Sequence, residues 1–284
     1  METISLLIAT IDAGIKKVDR VLLEPRPGVH YYISHQVTGE LFRKIPESLT
    51  ARSDVQISQI KGRGLSHNRN HLLDIAMGDI ALLADDDARY RMEYFETLRS
   101  IFTEHQDIDV ACFKIATPEG EPEYKEYSEE SFLLNYTSRH YISSLEVAFR
   151  LSAVKKMGLK FDERFGIGSE FITYGEEAVF IHDCIKAGLK VKYFPEYIVE
   201  HAVDSTVRRM DEFDKQRNIF KGAYDARRYG WLAFPAAFVG TFIQRQKLME
   251  HGVNPFHYLG QRLRGAAYIF GSKGDVEKKV VKIK

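Results

Sequence analysis

Apolar and polar positions along the chain switch repeatedly between a strand-like and a helix-like period. Ile4 to Thr10 is a short apolar run of the kind that forms a strand buried on both faces. Val18, Val21 and Leu22 recur at helical spacing, and Pro25, Pro27 and Gly28 mark the expected end of that helix. Val29 to Ser34 and Val55 to Ile60 predict two further strands. After the loop Lys61-Gly62-Arg63-Gly64, Ser66 is placed to cap a helix running to Met77, with Gly78 just past its end. Ile80 to Ala84 is again fully apolar. Met92, Phe95, Leu98, Ile101 and Phe102 make a helical stripe, and Ile108 to Ile115 reads as a strand. This alternation predicts a doubly wound, mostly parallel α/β sheet.

The second half is less regular. Thr117 to Glu130 is charged, holds Pro118, Gly120 and Pro122, and predicts an exposed loop. Tyr141 to Arg150 is strand-like, and Ser152 to Met157 predicts a short helix. Gly158 to Gly175, rich in glycine and aromatics, predicts a functional loop. Glu176 to Ala187 predicts a helix, and Leu189 to Phe194 a strand stopped by Pro195. Beyond His201 the pattern is mainly helical, which divides the chain into residues 1–204 and a helical extension, 205–284. The N-terminal METISLLIAT lacks a basic segment and reads as a first strand rather than a signal peptide. The longest later apolar stretch, Trp231 to Ile243, falls short of the roughly 20 residues a membrane span needs.

Charge changes the picture only when it is divided. The net charge is zero, which gives no reason to expect nucleic acid. From Ser205 onward, however, there are sixteen basic residues against seven acidic ones, among them Arg208, Arg209, Lys215, Arg217, Arg227, Arg228, Arg262, Arg264 and the KKVVKIK tail. Such an end can rest on anionic lipid headgroups. The two cysteines, Cys112 and Cys184, lie in apolar runs and read as reduced, buried thiols, which makes the cytoplasm the default address.

Four short stretches carry candidate chemistry. Asp85-Asp86-Asp87 follows directly on an apolar strand, at the end where open α/β sheets bind ligands. Adjacent carboxylates repel unless a cation or donors offset them, and a hard ion such as Mn²⁺ or Mg²⁺ takes one or two carboxylates plus phosphate oxygens. Asp85 and Asp87 would project to one side and Asp86 to the other. Upstream, the Gly62-to-Asn70 run combines glycines with Arg63, Arg69 and a helix start, all of which suit a diphosphate. Downstream, Glu177 begins the inward stripe of Phe180, Ile181 and Cys184, where the helix dipole favours an ionised carboxylate as a general base. Glu176 lies beside it, less clearly aligned with the stripe. His201 could bind Mn²⁺ or donate to phosphate.

In series, these stretches resemble family 2 glycosyltransferases. GRGLSHNRNHLLDIAMGDIALLADDDARY is similar to that family's Gly-Arg-Asn helix, strand and Asp-x-Asp motif. FDERFGIGSEFITYGEEAVFIHDCIKAGLKVKYFPEYIVEH is similar to its acceptor loop, acidic base motif and closing histidine. The resemblance spans about residues 1–204. It implies a GT-A fold, a Rossmann-like α/β/α sandwich, and inverting transfer of a sugar from a nucleotide-diphosphate donor, a UDP-sugar being favoured, to a glycan or lipid-linked glycan hydroxyl. Cell-surface polysaccharide assembly at the inner face of the plasma membrane follows by the same analogy.

Residue by residue, the resemblance implies that Asp85 holds the ribose or sugar and Asp87 the metal. Arg69 and Asn70 would lie near the nucleotide-sugar, and Thr10 would border the base. Glu177 falls where the family has its base, and His201 where a histidine reaches the metal or diphosphate. The chain departs from the pattern in having Ala9-Thr10-Ile11-Asp12 in place of Pro-x-Tyr-Asn, and Ser34-His35-Gln36 in place of acidic residues. It also has Glu in place of the family's Asp base, so Glu176 and Glu177 both stand as candidates. The competing readings are a non-catalytic sugar-nucleotide or glycan-binding module, and a sugar nucleotidyltransferase, for which no N-terminal phosphate-loop signature is found.

Overall fold

A computed structural model of the chain describes residues 1–138, 141–203 and 211–272. They fall into two compact units, one made of Met1–Phe161 and Phe180–Val203, the other of Asp162–Val179 and Asp204–Lys284.

The first unit is built on an eight-stranded sheet. Its strands are β1 (Ile4–Ile11), β2 (Val29–Val37), β3 (Val55–Lys61), β4 (Ile80–Asp85), β5 (Val110–Ala116), β6 (Phe132–Leu134), β7 (Val147–Arg150) and β8 (Val191–Glu200). The order across the sheet is β3-β2-β1-β4-β7-β5-β8-β6. β3, β2, β1 and β4 run parallel, as do β5 and β8, while β7 lies antiparallel between β4 and β5 and β6 is antiparallel at one edge. Strand alternation sorts the apolar run of β1 onto two faces. Ile4, Leu6 and Ile8 pack with Phe95, Leu98 and Phe102 of α3 (Met92–Glu104), and Leu7 and Ala9 with Leu72 and Leu73 of α2 (Leu65–Ile75) and Phe180, Ile181 and Cys184 of α5 (Glu176–Lys186). Both faces are therefore covered, which is the expected mixed α/β sandwich. Two short helices, α1 (Glu47–Thr50) and α4 (Leu151–Lys156), complete this unit. Both cysteines are free and buried, as their apolar surroundings predict.

Several local expectations change. The stretch read as a helix through Val18 and Leu22 is two 3-10 turns, Asp12–Lys16 and Val18–Arg20. Buried Ile15, Val18 and Val21 sit three apart, the spacing that a three-residue turn eclipses. Ser66 does not cap α2; the cap position is Gly64, at φ 121° where only glycine is comfortable. Tyr141 to Arg150 is strand only from Val147, because Ser143 and Glu146 form a reciprocal capping box on the turn before it. The loop 117–130 is not wholly exposed: Tyr124 is buried, and Tyr127 Oη accepts from Ile115 N at 2.9 Å.

The correction with the largest consequence is at Pro195. It does not stop β8, which continues to Glu200. The register steps from Cys112↔Tyr193 to Lys114↔Tyr197, so Phe194–Glu196 bulge where a proline has no ladder donor to lose. The extended strand ends beside the turn after β4. Glu200 and Arg89 exchange backbone hydrogen bonds of 2.8 and 2.9 Å.

The second unit contains α6 (Lys215–Tyr229), α7 (Ala233–Glu250) and α8 (Pro255–Gly271). Ile219 and Ala223 of α6 share a core with Phe165, Ile172 and Val179. α6 and α8 meet backbone to backbone. A Cβ on Gly265 would lie 1.9 Å from the Ile219 carbonyl oxygen, and one on Gly222 would lie 1.9 Å from that of Arg262. Gly260 of the same α8 has open space around it. Gly260→Ala is therefore expected to stabilise by up to about 1 kcal/mol through helix propensity. Gly265→Ala should instead cost about 1–3 kcal/mol through overpacking. Denaturant unfolding of the pair checks the opposite signs. Arg208, Arg209 and the KKVVKIK tail lie outside the described residues.

Candidate functional site

The parallel register of β1, β2 and β4 brings Thr10, His35 and Asp85 to one edge of the sheet. Thr10 pairs with His35, and Ala9 with Asp85. This edge is the carboxyl end of the strands, where β1 has β2 on one side and β4 on the other, the place at which such sheets form a ligand crevice.

Each of the three aspartates has a different partner. Asp85 Oδ1 accepts from Arg69 at 3.2 Å. Arg69 is fully buried in α2 and also lies over the Phe161 ring, 5.6 Å from its centroid. Asp86 turns the other way, as the strand alternation predicts, and accepts from the Thr10 hydroxyl at 2.5 Å. Burial pushes the Asp86 carboxyl above its ordinary value, against the Thr10 hydrogen bond. Gly14 passes so close that a Cβ there would sit 2.1 Å from Asp86 Oδ2. Asp87 Oδ1 lies 3.3 Å from His201 Nε2. The extension of β8 past Pro195 is what delivers His201 there, and His201 N also donates to Ala116 O at 2.9 Å.

His201 is oriented from its other side. Its Nδ1 lies 2.8 Å from the Ala202 carbonyl and so carries the proton in the neutral ring, leaving the Nε2 lone pair towards Asp87. Tyr124 meets the imidazole edge-on at 6.1 Å. In the protonated ring Nε2–H donates to the Asp87 carboxylate, and this hydrogen bond raises the His201 pKa above 6.5, against burial. The same bond lowers that of Asp87 below 3.8. By linkage, the His201 contribution to stability is fully present below about pH 6.5 and disappears as pH rises through its raised value, whereas the Asp87 contribution is lost only as pH falls through its lowered one. Asp87 is half exposed, so solvent screens the pair. Chelator-treated protein should lose a small increment of melting temperature above pH 6.5 that His201→Gln lacks. A melting series in which both proteins have the same slope would contradict this pairing.

The remaining predicted residues of this unit divide by role. Arg63 is exposed in the loop before α2; against burial, the hydrogen bonds from Thr38 hold the Asp12 carboxyl down, and the Arg63 charge adds to them. Asn70 is buried and turned to the backbone of Phe161, with hydrogen bonds of 2.9 and 2.7 Å, so it positions that segment. Three residues with no assigned role also build the crevice. Asn68 donates to Thr10 O at 3.0 Å, buried His35 Nε2 contacts Asp12 O at 2.9 Å, and Gln36 donates to Gly64 O at 3.1 Å. The polar run Ser34-His35-Gln36 at the end of a strand was the available signal, but only the register shows what it faces.

The second unit holds Glu176 and Glu177. They open α5, and both are buried, at 5% and 6% exposure. Gly175 precedes them at φ 84°, with Phe220 occupying the space where a Cβ would stand, at 2.1 Å. Tyr174 packs on Phe220 at 4.8 Å, and its hydroxyl pKa is pushed up mainly by burial, with Asp214 and Glu177 adding to the rise and Arg217 opposing it. The loop from Gly166 to Gly175 is tied into a turn of its own. Gly166 N donates to Ile172 O at 2.9 Å, and the Ser169 hydroxyl donates to the same oxygen at 2.6 Å.

Comparison with solved structures gives the same fold. The fragment 1–349 of S. aureus TarS matches with TM-score 0.59 and 14% identity over 79% of this chain and 65% of that one. The same fragment in complex with UDP-GlcNAc matches with TM-score 0.57 and 13% identity over 79% and 66%. Full S. aureus TarS matches with TM-score 0.58 and 14% identity over 99% of this chain and 46% of that chain. The chain thus covers less than two thirds of each of these structures. No family model and no curated protein matches its sequence.

Proposed function

We propose that this chain is an inverting glycosyltransferase that moves a sugar from a nucleoside diphosphate donor, a UDP-sugar, to an acceptor hydroxyl. The observation that carries the reading is the carboxylate turn at the end of β4, with Asp85 on Arg69 and Asp87 3.3 Å from His201. It lies in a fold shared with a protein crystallised with UDP-GlcNAc.

A divalent cation fits this turn. Among the described residues no group of three or more acidic, His or Cys side chains could hold a metal ion, so a site built from these side chains alone would have at most two of them as ligands. Mg²⁺ and Mn²⁺ sites that serve nucleotides commonly take one or two protein ligands and complete the shell with phosphate and water. Asp87 Oδ1 and His201 Nε2 suit that role. Two ligands each about 2.1 Å from one ion at a right angle stand about 3 Å apart. When bound, the cation would offset the negative charge that grows on the departing diphosphate.

The chain's own groups have distinct tasks in this reading. Arg69 holds Asp85 in place for the ribose or sugar, and Thr10 keeps Asp86 out of the way. Arg63 and the glycine-flanked start of α2 offer positive charge and backbone donors to phosphate oxygens. Glu177 accepts the proton of the acceptor hydroxyl as its oxygen bonds to the anomeric carbon and the diphosphate leaves with the electrons of the broken bond. Attack opposite the leaving group inverts that carbon. The basic residues after Ser205 suit an acceptor carried on lipid, as in cell-surface polysaccharide assembly.

Incubation with UDP-sugars and a panel of glycan and lipid-linked acceptors tests the reading. UDP should be released only with acceptor present, and NMR of the product should show the opposite anomeric configuration. Retained configuration would contradict inversion. Nucleotide binding without turnover across the panel would instead favour a binding module.

A further inference from the structure

Helix α7 is reversed for a helix of a water-soluble surface. At four-residue spacing it buries small side chains, Ala233, Ala237 and Thr241, and it leaves Phe238, Val239, Phe242 and Ile243 more than half exposed. Trp231, 70% exposed, lengthens the ridge just before the helix. It is held in place by stacking on Phe270 at 4.1 Å and on Phe234 at 5.5 Å. Contiguous large apolar side chains on a monomer surface mark an interaction site.

Charge selects the partner. α7 and α8 carry four cations and a single acid, Glu250. Arg262 is buried against Asp225 and Lys247 pairs with Glu212, which leaves Arg245 and Arg264 as the exposed arginines of these two helices. The Arg245 guanidinium lies over the ring of Phe242, 5.1 Å from its centroid, so a cation sits at the margin of the ridge. A second copy seated symmetrically on this face would bring the same positive charges together. An anionic lipid surface offers phosphates to the arginines and an acyl boundary to the ridge. Trp231 belongs at such a boundary, with its ring between apolar and wet layers.

We propose that α7 lies in the plane of an anionic bilayer surface, with Trp231, Phe238, Phe242 and Ile243 entering the headgroup–acyl boundary. Its 18 residues, about 27 Å of helix, lie along the surface; no described helix is long and apolar enough to cross a membrane. The inference stands on the second unit alone and does not depend on the transferase reading.

Trp231 is the only tryptophan in the chain, so its fluorescence reports on the ridge directly. The full chain is mixed with phosphatidylcholine vesicles, with or without phosphatidylglycerol. The expected result is a blue shift and co-sedimentation with the anionic vesicles, both weakened by salt. The double variant Phe242→Asp/Ile243→Asp, altered only at exposed positions, should bind at least about a hundredfold more weakly. Nucleotide-induced stabilisation measured on the same variant should be unchanged, which separates loss of the membrane face from loss of the donor site. Three results would each overturn the proposal: no shift and no sedimentation, equal vesicle binding by the double variant, or a lipid-free dimer that the double variant abolishes.

Discussion

Glu177→Gln is expected to lower transfer by about a hundredfold to ten-thousandfold while nucleotide affinity stays the same. The amide has nearly the shape of the carboxylate, so the start of α5, where Tyr174 packs on Phe220, should survive. What is lost is the ability to accept a proton. Glu176 provides the contrast. It is equally buried in the same first turn, so burial alone does not choose between them. The helical stripe chooses Glu177, because it shares a face with Phe180, Ile181 and Cys184. Glu176→Gln should therefore keep most of the activity. Single-turnover rates for both variants check the assignment; loss confined to Glu176→Gln would transfer the base role to that residue.

Asp87→Asn should be almost as damaging, by roughly a thousandfold, since several kcal/mol of charge stabilisation at the leaving diphosphate would go with the metal ligand. Asp86→Asn serves as its partner experiment. Asp86 is turned to Thr10 beneath Gly14, and an amide oxygen can still accept that hydrogen bond. Its loss should be less than about tenfold, mostly through stability. If the two variants suffer alike, the three carboxylates act as one cluster and the division of labour read from their partners is wrong.

The parallel core was legible because both faces of β1 and β4 are buried, and such strands are continuous apolar runs that local sequence reveals. The direction of Asp86 was legible for a similar reason, since strand alternation acts over two residues. The path of β8 was not. Proline ordinarily ends a strand, and only the register against β5 shows that a bulge absorbs it. The Asp87–His201 contact is a consequence of that bulge, and periodicity cannot express a contact between residues 114 positions apart. The hydrogen bonds of the Asn70 side chain to the Phe161 backbone were likewise not legible, because the two residues are 91 positions apart. On α7 the sequence shows only an apolar run too short to span a membrane; that Ala233, Ala237 and Thr241 turn inward and leave Phe238, Phe242 and Ile243 outside is visible only in the packing.

The central claim is that the β4 turn binds a nucleoside diphosphate through Asp87 and a cation. The direct measurement is the melting temperature with UDP, GDP, dTDP and CMP, each with and without Mn²⁺, on the native chain and on Asp87→Ala. A ligand of the native state raises that temperature by mass action. The account predicts stabilisation by UDP that requires Mn²⁺ and disappears in Asp87→Ala. Stabilisation by none of the four, or stabilisation that survives in Asp87→Ala, would contradict it.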